Sequence, residues 1–176
     1  MIAQHINVGE NFFFEMSERT RKSPGEIVMV IRRPGDRILL MTKDFYPENV
    51  YRLPTGKMKR GEIPEDCFAR EVMEETGFTT SDFVSLGVVH YEIEFGDERL
   101  DYPSHVFATE VIAGDPSPID LDEGITSFIE VTPTELLTTA AQLEQLPEPW
   151  SDWGRWRAIA HTAVREMLIA ALPLQG

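Results

Sequence analysis

The chain has 176 residues, a mass of 20.0 kDa and one cysteine, Cys67, so neither an internal disulfide framework nor a cysteine-based zinc site is available to it. Thirty acidic residues against sixteen Lys and Arg leave a formal net charge of −14, which excludes a surface that tracks a nucleic-acid backbone. With 42% hydrophobic residues and no run of membrane-spanning length, the composition is that of one globular domain without a membrane partner.

Met1 to Phe14 carries Gln4, His5, Asn7, Glu10 and Asn11 and lacks the apolar centre of a secretory signal, so a cytoplasmic location is the expectation. Phe12-Phe13-Phe14 is a candidate contact for a homodimer. Glu26 to Arg33 (EIVMVIRR) reads as a strand and Pro34-Gly35-Asp36 as a turn, with Arg37 to Thr42 returning as the second strand of a hairpin. Leu53-Pro54-Thr55-Gly56 interrupts the pattern. Pro64 to Thr76 has helical spacing, with Phe68 and Val72, and Ala69 and Met73, at i,i+4. Pro64 suits a first helical turn, Ile63 is a poor cap, and Gly77 is a natural stop.

Phe83 to Phe95 and His105 to Ile112 read as further strands, broken at Gly96-Asp97. Ala113 to Gly124 reads as an exposed loop and Ile125 to Val131 as a short strand. Thr132 to Leu143 follows as a short helix that Thr132 caps with Pro133 at its first position. A last helix covers about residues 153–172, with Ile159, Ala163 and Met167 on one face. Strands and few helices in this order predict an α/β or α+β layered fold around a mixed sheet.

Residues 56–78, GKMKRGEIPEDCFAREVMEETGF, carry the chemistry. Glu71, Glu74 and Glu75 stand at i, i+3 and i+4, so one helix face gathers three carboxylates. Like charges this close destabilise a helix unless a cation neutralises them. Hard oxygen ligands suit Mg²⁺ or Mn²⁺, which keep some waters and bridge phosphate oxygens. An acidic solvated face is the alternative, but it does not require Gly56, Glu62 and Gly77 at their spacings.

The stretch resembles the Nudix box, G-x5-E-x7-R-E-U-x-E-E-x-G-U, where U is a bulky apolar residue. All seven fixed positions match in Gly56, Glu62, Arg70, Glu71, Glu74, Glu75 and Gly77. Val72 and Phe78 take the apolar positions, Phe78 being aromatic where an aliphatic residue is commoner. At background frequencies the pattern arises in a chain of this length with a probability on the order of 10⁻⁶. Leu53-Pro54-Thr55-Gly56 is similar to the family's Leu-Pro-Gly-Gly lead-in, with Thr55 replacing a glycine.

The resemblance covers about residues 26–143 and implies an α/β/α sandwich with a central mixed sheet, read here as a single domain over 1–176. Residues 1–25 form an N-terminal extension, and the extension and the last helix lie outside the resemblance. It implies Glu71, Glu74 and Glu75, with the backbone carbonyl of Thr55, as ligands of Mg²⁺ or Mn²⁺. It implies Arg70 and Glu62 as a brace between loop and helix, with Gly56 and Gly77 shaping the box. A further acidic residue after the sheet serves some members as ligand or general base, and Glu123 is the candidate, with Glu110 and Asp115 behind it.

Arg52, Arg32 and Lys43, near the strands before the box, are candidates for phosphate contacts; solvated strand ends are the alternative. Phe45, Tyr46 and Tyr51 are candidates for stacking on a base, against plain core packing. Trp150, Trp153 and Trp156 read as pins for the last helix, with a substrate lid as the alternative.

The implied activity is metal-dependent hydrolysis of a diphosphate linkage in a small nucleotide-like substrate, a nucleoside diphosphate joined to another moiety. The alternative is a non-catalytic module that binds a nucleotide sugar, which has no need of the intact glutamate set. Glu74→Gln is expected to lower kcat at least ~100-fold with the fold intact, because it removes a charge from the cation site. Near-wild-type turnover on the best substrate contradicts that ligand set.

Overall fold

The computed structural model describes residues 1–111 and 113–171. In chain order the elements are β1 (Ile2–Asn7), α1 (Glu10–Lys22), β2 (Glu26–Arg33), β3 (Arg37–Lys43), β4 (Thr55–Lys57), α2 (Pro64–Thr76), β5 (Phe83–Phe95) and β6 (Glu98–Glu110). A single 3₁₀ turn (Leu121–Glu123), β7 (Ile125–Val131), α3 (Glu135–Glu144) and α4 (Ser151–Ala171) follow.

Seven strands form one mixed sheet in the order β1-β5-β6-β2-β3-β7, with β4 added beside β2. β2 is the central strand, and its residues alternate between two cores as strand geometry demands. Ile27, Met29 and Ile31 face α2 and pack with Cys67, Phe68, Val72 and Phe107. Val28 and Val30 face the other way and join Phe12, Phe13 and Met16 of α1 and Trp156, Ala160 and Val164 of α4. Because both faces are covered, β2 reads as a continuous apolar run rather than an alternating one. Helices on both sides of a mixed sheet give the α/β/α layering.

One edge of β2 is shared between two partners. Glu26, Ile27 and Val28 pair with Lys57, Gly56 and Thr55, while Arg32 and Arg33 pair with Ile38 and Arg37. Between these zones β3 diverges, and the Leu53-Pro54 segment crosses the fork. Met41 and Arg52 exchange backbone hydrogen bonds of 2.9 and 3.0 Å, and Met29 N–H donates to Pro54 O at 2.9 Å. The fork lies directly before the acidic helix.

The segment expected to be an extension is part of the fold. β1 runs parallel to β5 over six residue pairs, from Ile2–Val89 to Asn7–Glu94. Phe12 and Phe13 are core residues and only Phe14 is exposed, so the three phenylalanines do not form one surface. β6 begins at Glu98, seven residues before the expected start at His105, because Gly96-Asp97 is a tight turn that pairs Phe95 with Glu98. Ile112, the expected end of that strand, and residue 172 of the last helix lie outside the described residues.

α3 begins at Glu135. Thr132 and Glu135 form a reciprocal cap, in which Thr132 N–H donates to Glu135 Oε2 at 2.6 Å and Glu135 N–H donates to Thr132 Oγ1 at 3.3 Å. No helix of the described residues is long and apolar enough to cross a membrane.

Trp156 is the hub of the α1–α4 side. Its ring meets Phe12 at 5.8 Å, Tyr91 at 6.0 Å and Tyr102 at 6.3 Å, and it is 2% exposed. Trp156→Ala is expected to cost about 3–5 kcal/mol of stability, because the fixed strands cannot collapse into the void. Urea unfolding monitored by circular dichroism measures the loss, and a change below ~1 kcal/mol contradicts this packing.

Candidate functional site

The fork in the sheet opens into a cavity of about 370 Å³. α2 contributes Glu71 and Glu75, the crossing segment Arg52, Thr55, Gly56 and Lys57, the end of β3 Lys43, and the 3₁₀ turn Asp122 and Glu123. Arg19 of α1, Trp153 and Arg157 of α4, and Phe45 and Tyr46 complete it.

α2 presents its carboxylates here because its opposite face is apolar. Cys67, Phe68 and Val72 are fully buried against the sheet. With that face fixed, Glu71 and Glu75, one helical turn apart, must point along the sheet surface toward the fork. The helix starts without a side-chain cap at Ile63, has Pro64 in its first turn, and ends at Gly77 with φ +71°.

Gly56 is required by close approach. A Cβ there would lie 2.0 Å from Glu71 Cγ, so any side chain would displace the Glu71 carboxylate. Thr55 is not among the positive-φ residues; it sits in extended backbone paired with Val28, which explains why a residue other than glycine is accommodated.

Arg70 gathers the outer carboxylates. Its Nε and Nη2 donate to the two oxygens of Glu62 at 2.7 and 2.9 Å, and Nη1 donates to Glu71 Oε1 at 2.7 Å and Glu74 Oε2 at 2.8 Å. Glu62 also accepts from Lys59 N–H at 2.8 Å, which ties the box loop to the helix. These bonds, with the Arg70 guanidinium the main cause, hold the Glu62 carboxyl down at about 2.

Glu75 is 1% exposed and its Oε2 has no hydrogen-bond partner. Its nearest cation is Lys43 Nζ, 3.9 Å from Oε1. Burial pushes its carboxyl up to about 8, outweighing the pull of Arg52 and Lys43. Burial also raises Glu71 above the ordinary carboxylate range, against the pull of Arg70. Glu123 pairs with Lys43, and although burial opposes it, this partner keeps the acid below its usual value.

The chemistry of this donor set fits a hard divalent cation: buried, partly unpartnered carboxylates beside a backbone carbonyl and a half-exposed acid. In the present side-chain arrangement Arg70 draws Glu71 and Glu74, and Lys43 draws Glu123. Among the described residues, three potential ligands lie within 4.8 Å of one another only at His5, Glu92 and Glu94, on the exposed face of β1 and β5. Those are ordinary cross-strand ion pairs, His5 with Glu92 and Arg99 with Glu92.

The sequence candidates divide clearly. Glu71, Glu75, Thr55, Glu123, Arg52 and Lys43 line one cavity. Glu74 does not line it and is turned toward Arg70 with its side chain 37% exposed. Arg32 is a correction: it does not line this cavity and is paired with Asp36 and Glu110 toward the other end of β2, four residues along the strand from Val28, the partner of Thr55. Glu110 is in that same remote pair. Tyr51 packs toward the α1–α4 core.

Sequence reasoning missed Arg19, Arg157 and His161. His161 is buried, and burial pulls its ring down to about 4, so it is neutral. Its Nδ1–H donates to Arg157 O at 2.8 Å and its Nε2 accepts from Leu53 N–H at 3.0 Å. The last helix therefore holds the segment that carries Arg52 and Thr55. Trp153, Arg157 and His161 recur every four residues, a stripe of one helix face, and that spacing was the available signal.

The NUDIX domain model matches residues 22–154, and the chain belongs to the Nudix hydrolase family. It is similar to an ADP-ribose pyrophosphatase of Bacillus subtilis (strain 168), with 29% identity over 112 residues, 62% of this chain and 57% of that one. It is 44% identical over 77 residues to the NAD-capped RNA hydrolase NudC of Stutzerimonas stutzeri (strain A1501), covering 42% of this chain and 27% of the relative. The chain thus spans less than two thirds of the length of these curated relatives. Its fold matches the E. coli dihydroneopterin triphosphate pyrophosphohydrolase with a TM-score of 0.58 at 18% identity, over 85% of this chain and 98% of that one.

Glu75 gives a pH signature in the protein stripped of divalent cations. A carboxyl whose folded value is about 8 and whose unfolded value is near 4.5 keeps its proton longer in the folded state. Its contribution to stability is full below about 4.5 and is lost as pH rises through about 8. In EDTA, Tm is expected to fall over that interval, and Glu75→Gln is expected to flatten the fall. An unchanged slope in the variant contradicts the burial of an unpaired carboxyl.

Proposed function

We propose that the protein hydrolyses a diphosphate linkage in a nucleoside diphosphate joined to another moiety, with Mg²⁺ or Mn²⁺ as cofactor. The observation that carries this reading is the buried Glu75 carboxylate with an unpartnered oxygen, in one cavity with Glu71, Glu123 and Thr55. Residues suited to a cation and residues suited to phosphate, Lys43 and Arg52, line the same space.

Glu71, Glu75 and the Thr55 carbonyl would hold the cation, with Glu74 joining by turning from Arg70. When bound, the cation neutralises charge on the diphosphate and makes water more acidic. The remaining work falls to the chain. Arg70 and Glu62 fix the loop against the helix, so that Gly56 and the Thr55 carbonyl are preorganised. His161 holds the crossing segment from the other side of the sheet. Lys43 keeps Glu123 ionised and therefore ready to accept a proton.

Water then attacks one phosphorus, Glu123 takes its proton, and the anhydride P–O bond breaks to give two phosphate-bearing products. Positioning and electrostatic stabilisation supply most of the rate. The relative named an ADP-ribose pyrophosphatase favours a substrate of that class, with the nucleoside diphosphate bonded to a sugar.

A screen of phosphate-bearing products across nucleotide sugars, ADP-ribose-like compounds, nucleoside triphosphates and dinucleoside polyphosphates tests this reading. Mg²⁺- or Mn²⁺-dependent cleavage of at least one nucleoside diphosphate derivative is expected, with kcat reduced ~100-fold or more in Glu123→Gln. Tight ligand binding without any cation-dependent product favours the binding module instead.

A further inference from the structure

The cavity has a second wall built from arginines. Arg157 of α4 is 4% exposed and donates from Nη1 to Glu26 Oε1 at 2.8 Å. Arg19 of α1 donates from Nη2 to Glu26 Oε2 at 2.7 Å and from Nε to Tyr102 Oη at 2.9 Å. Glu26 is wholly buried, and Ser104 Oγ donates to it as well, at 2.8 Å. Arg52 is 3% exposed and has only neutral partners: Tyr46 Oη at 2.7 Å, Leu53 O at 2.7 Å and Thr55 Oγ1 at 3.0 Å.

Two guanidiniums therefore share one carboxylate, and Arg52 beside them has no ion-pair partner within 4.0 Å. Among the described residues no ion pair within 4.0 Å joins any of the three to Glu71, Glu75 or Glu123. Such an excess is costly away from water unless an anion arrives to meet it. The Nε of Arg157 is buried and has no partner. Burial, with the nearby charges of Arg52 and Arg19, weakens the hold of Arg157 on its proton despite Glu26.

We propose that Arg157 and Arg19, with Arg52, form an anion subsite that holds the phosphate on the far side of the scissile bond from the box carboxylates. The inference rests on the hydrolase reading and deepens it. Guanidiniums suit this task, since they recognise phosphate oxygens in pairs and remain charged when buried. Phosphoryl charge is then met from both walls, by the cation on one side and by arginines on the other.

The subsite also bounds the substrate. Phe45, 59% exposed, Tyr46 and Trp153 adjoin the arginines and offer aromatic surface to one ring of the organic moiety. A cavity of about 370 Å³ takes a diphosphate and one ring, so the second moiety extends into solvent. Arg19 and Arg157 both lie outside residues 22–154 matched by the domain model.

The test is a titration of the full chain with inorganic pyrophosphate in the presence of Mg²⁺, followed by tryptophan fluorescence, since Trp153 and Trp156 adjoin Arg157. Arg157→Gln and Arg19→Gln are each expected to raise Kd ~10-fold or more. Glu26→Gln, which releases both guanidiniums from their shared carboxylate, is expected to lower it. A folded Arg157→Gln variant that binds pyrophosphate like the wild type overturns the proposal.

Should the arginine variants fail to fold, wild-type crystals soaked in tungstate decide the matter. Anomalous density within hydrogen-bond reach of Arg157 and Arg19 is expected, and density absent from both overturns the subsite. Arginine-dependent pyrophosphate binding with no nucleotide cleaved would sink the hydrolase reading alone. Cleavage with an unchanged Kd in Arg157→Gln would sink the subsite alone.

Discussion

The buried carboxylate of Glu75 is the constraint on which the site depends. A side chain 1% exposed, with one oxygen unpartnered and its nearest cation 3.9 Å from the other, has no counterpart elsewhere on the described part of α2. The apolar face of the helix puts it there: Cys67, Phe68 and Val72 pack on Ile27, Met29 and Ile31, and no rotation of α2 keeps that core while exposing Glu75. Stability of the helix–sheet contact and desolvation of the acid are therefore one event. Nature's usual compensation for such a group is a proton or a bound cation.

The fork in the sheet supplies the space. β2 pairs with β4 at one end and β3 at the other, and the chain from Arg52 to Lys57 bridges the two zones. That bridge carries Thr55, Gly56 and Arg52 into the cavity and is fastened from both faces. Arg70 and Glu62 brace it beside α2, and His161 accepts from Leu53 N–H on the α4 side. α1 and α4 then do more than cover the sheet, because their buried arginines bring positive charge to a cavity that the box makes negative.

Much of this was legible in the chain, for identifiable reasons. α2 and β7 fall where periodicity puts them, since helix spacing and turn residues are local signals. Glu71 and Glu75 share one cavity as their i,i+4 spacing suggests, whereas Glu74, expected on the same face, is turned to Arg70. β1 and α1 were not legible as sheet and core, because β1 pairs in parallel with a strand more than eighty residues away and polar Gln4 stands between Ile2 and Ile6 on its inward side. The early start of β6 was hidden by Glu98, Arg99, Asp101 and Pro103, although Leu100, Tyr102 and Ser104 do alternate inward. Arg32 was placed near the site by nearness along the chain, which is a poor guide on a strand, where four residues already span roughly 13 Å. Arg157 and His161 needed tertiary knowledge: only their four-residue spacing, in line with Trp153, pointed inward.

On the proposed function, a divalent cation takes the place of the proton on Glu75. Calorimetric titration of Mg²⁺ or Mn²⁺ into the wild-type protein near pH 7, repeated in buffers of different ionisation enthalpy, measures the protons released on binding. With a carboxyl held at about 8, release of close to one proton per binding event is predicted, falling away in more alkaline buffer. Saturable binding whose enthalpy is the same in every buffer would contradict the account.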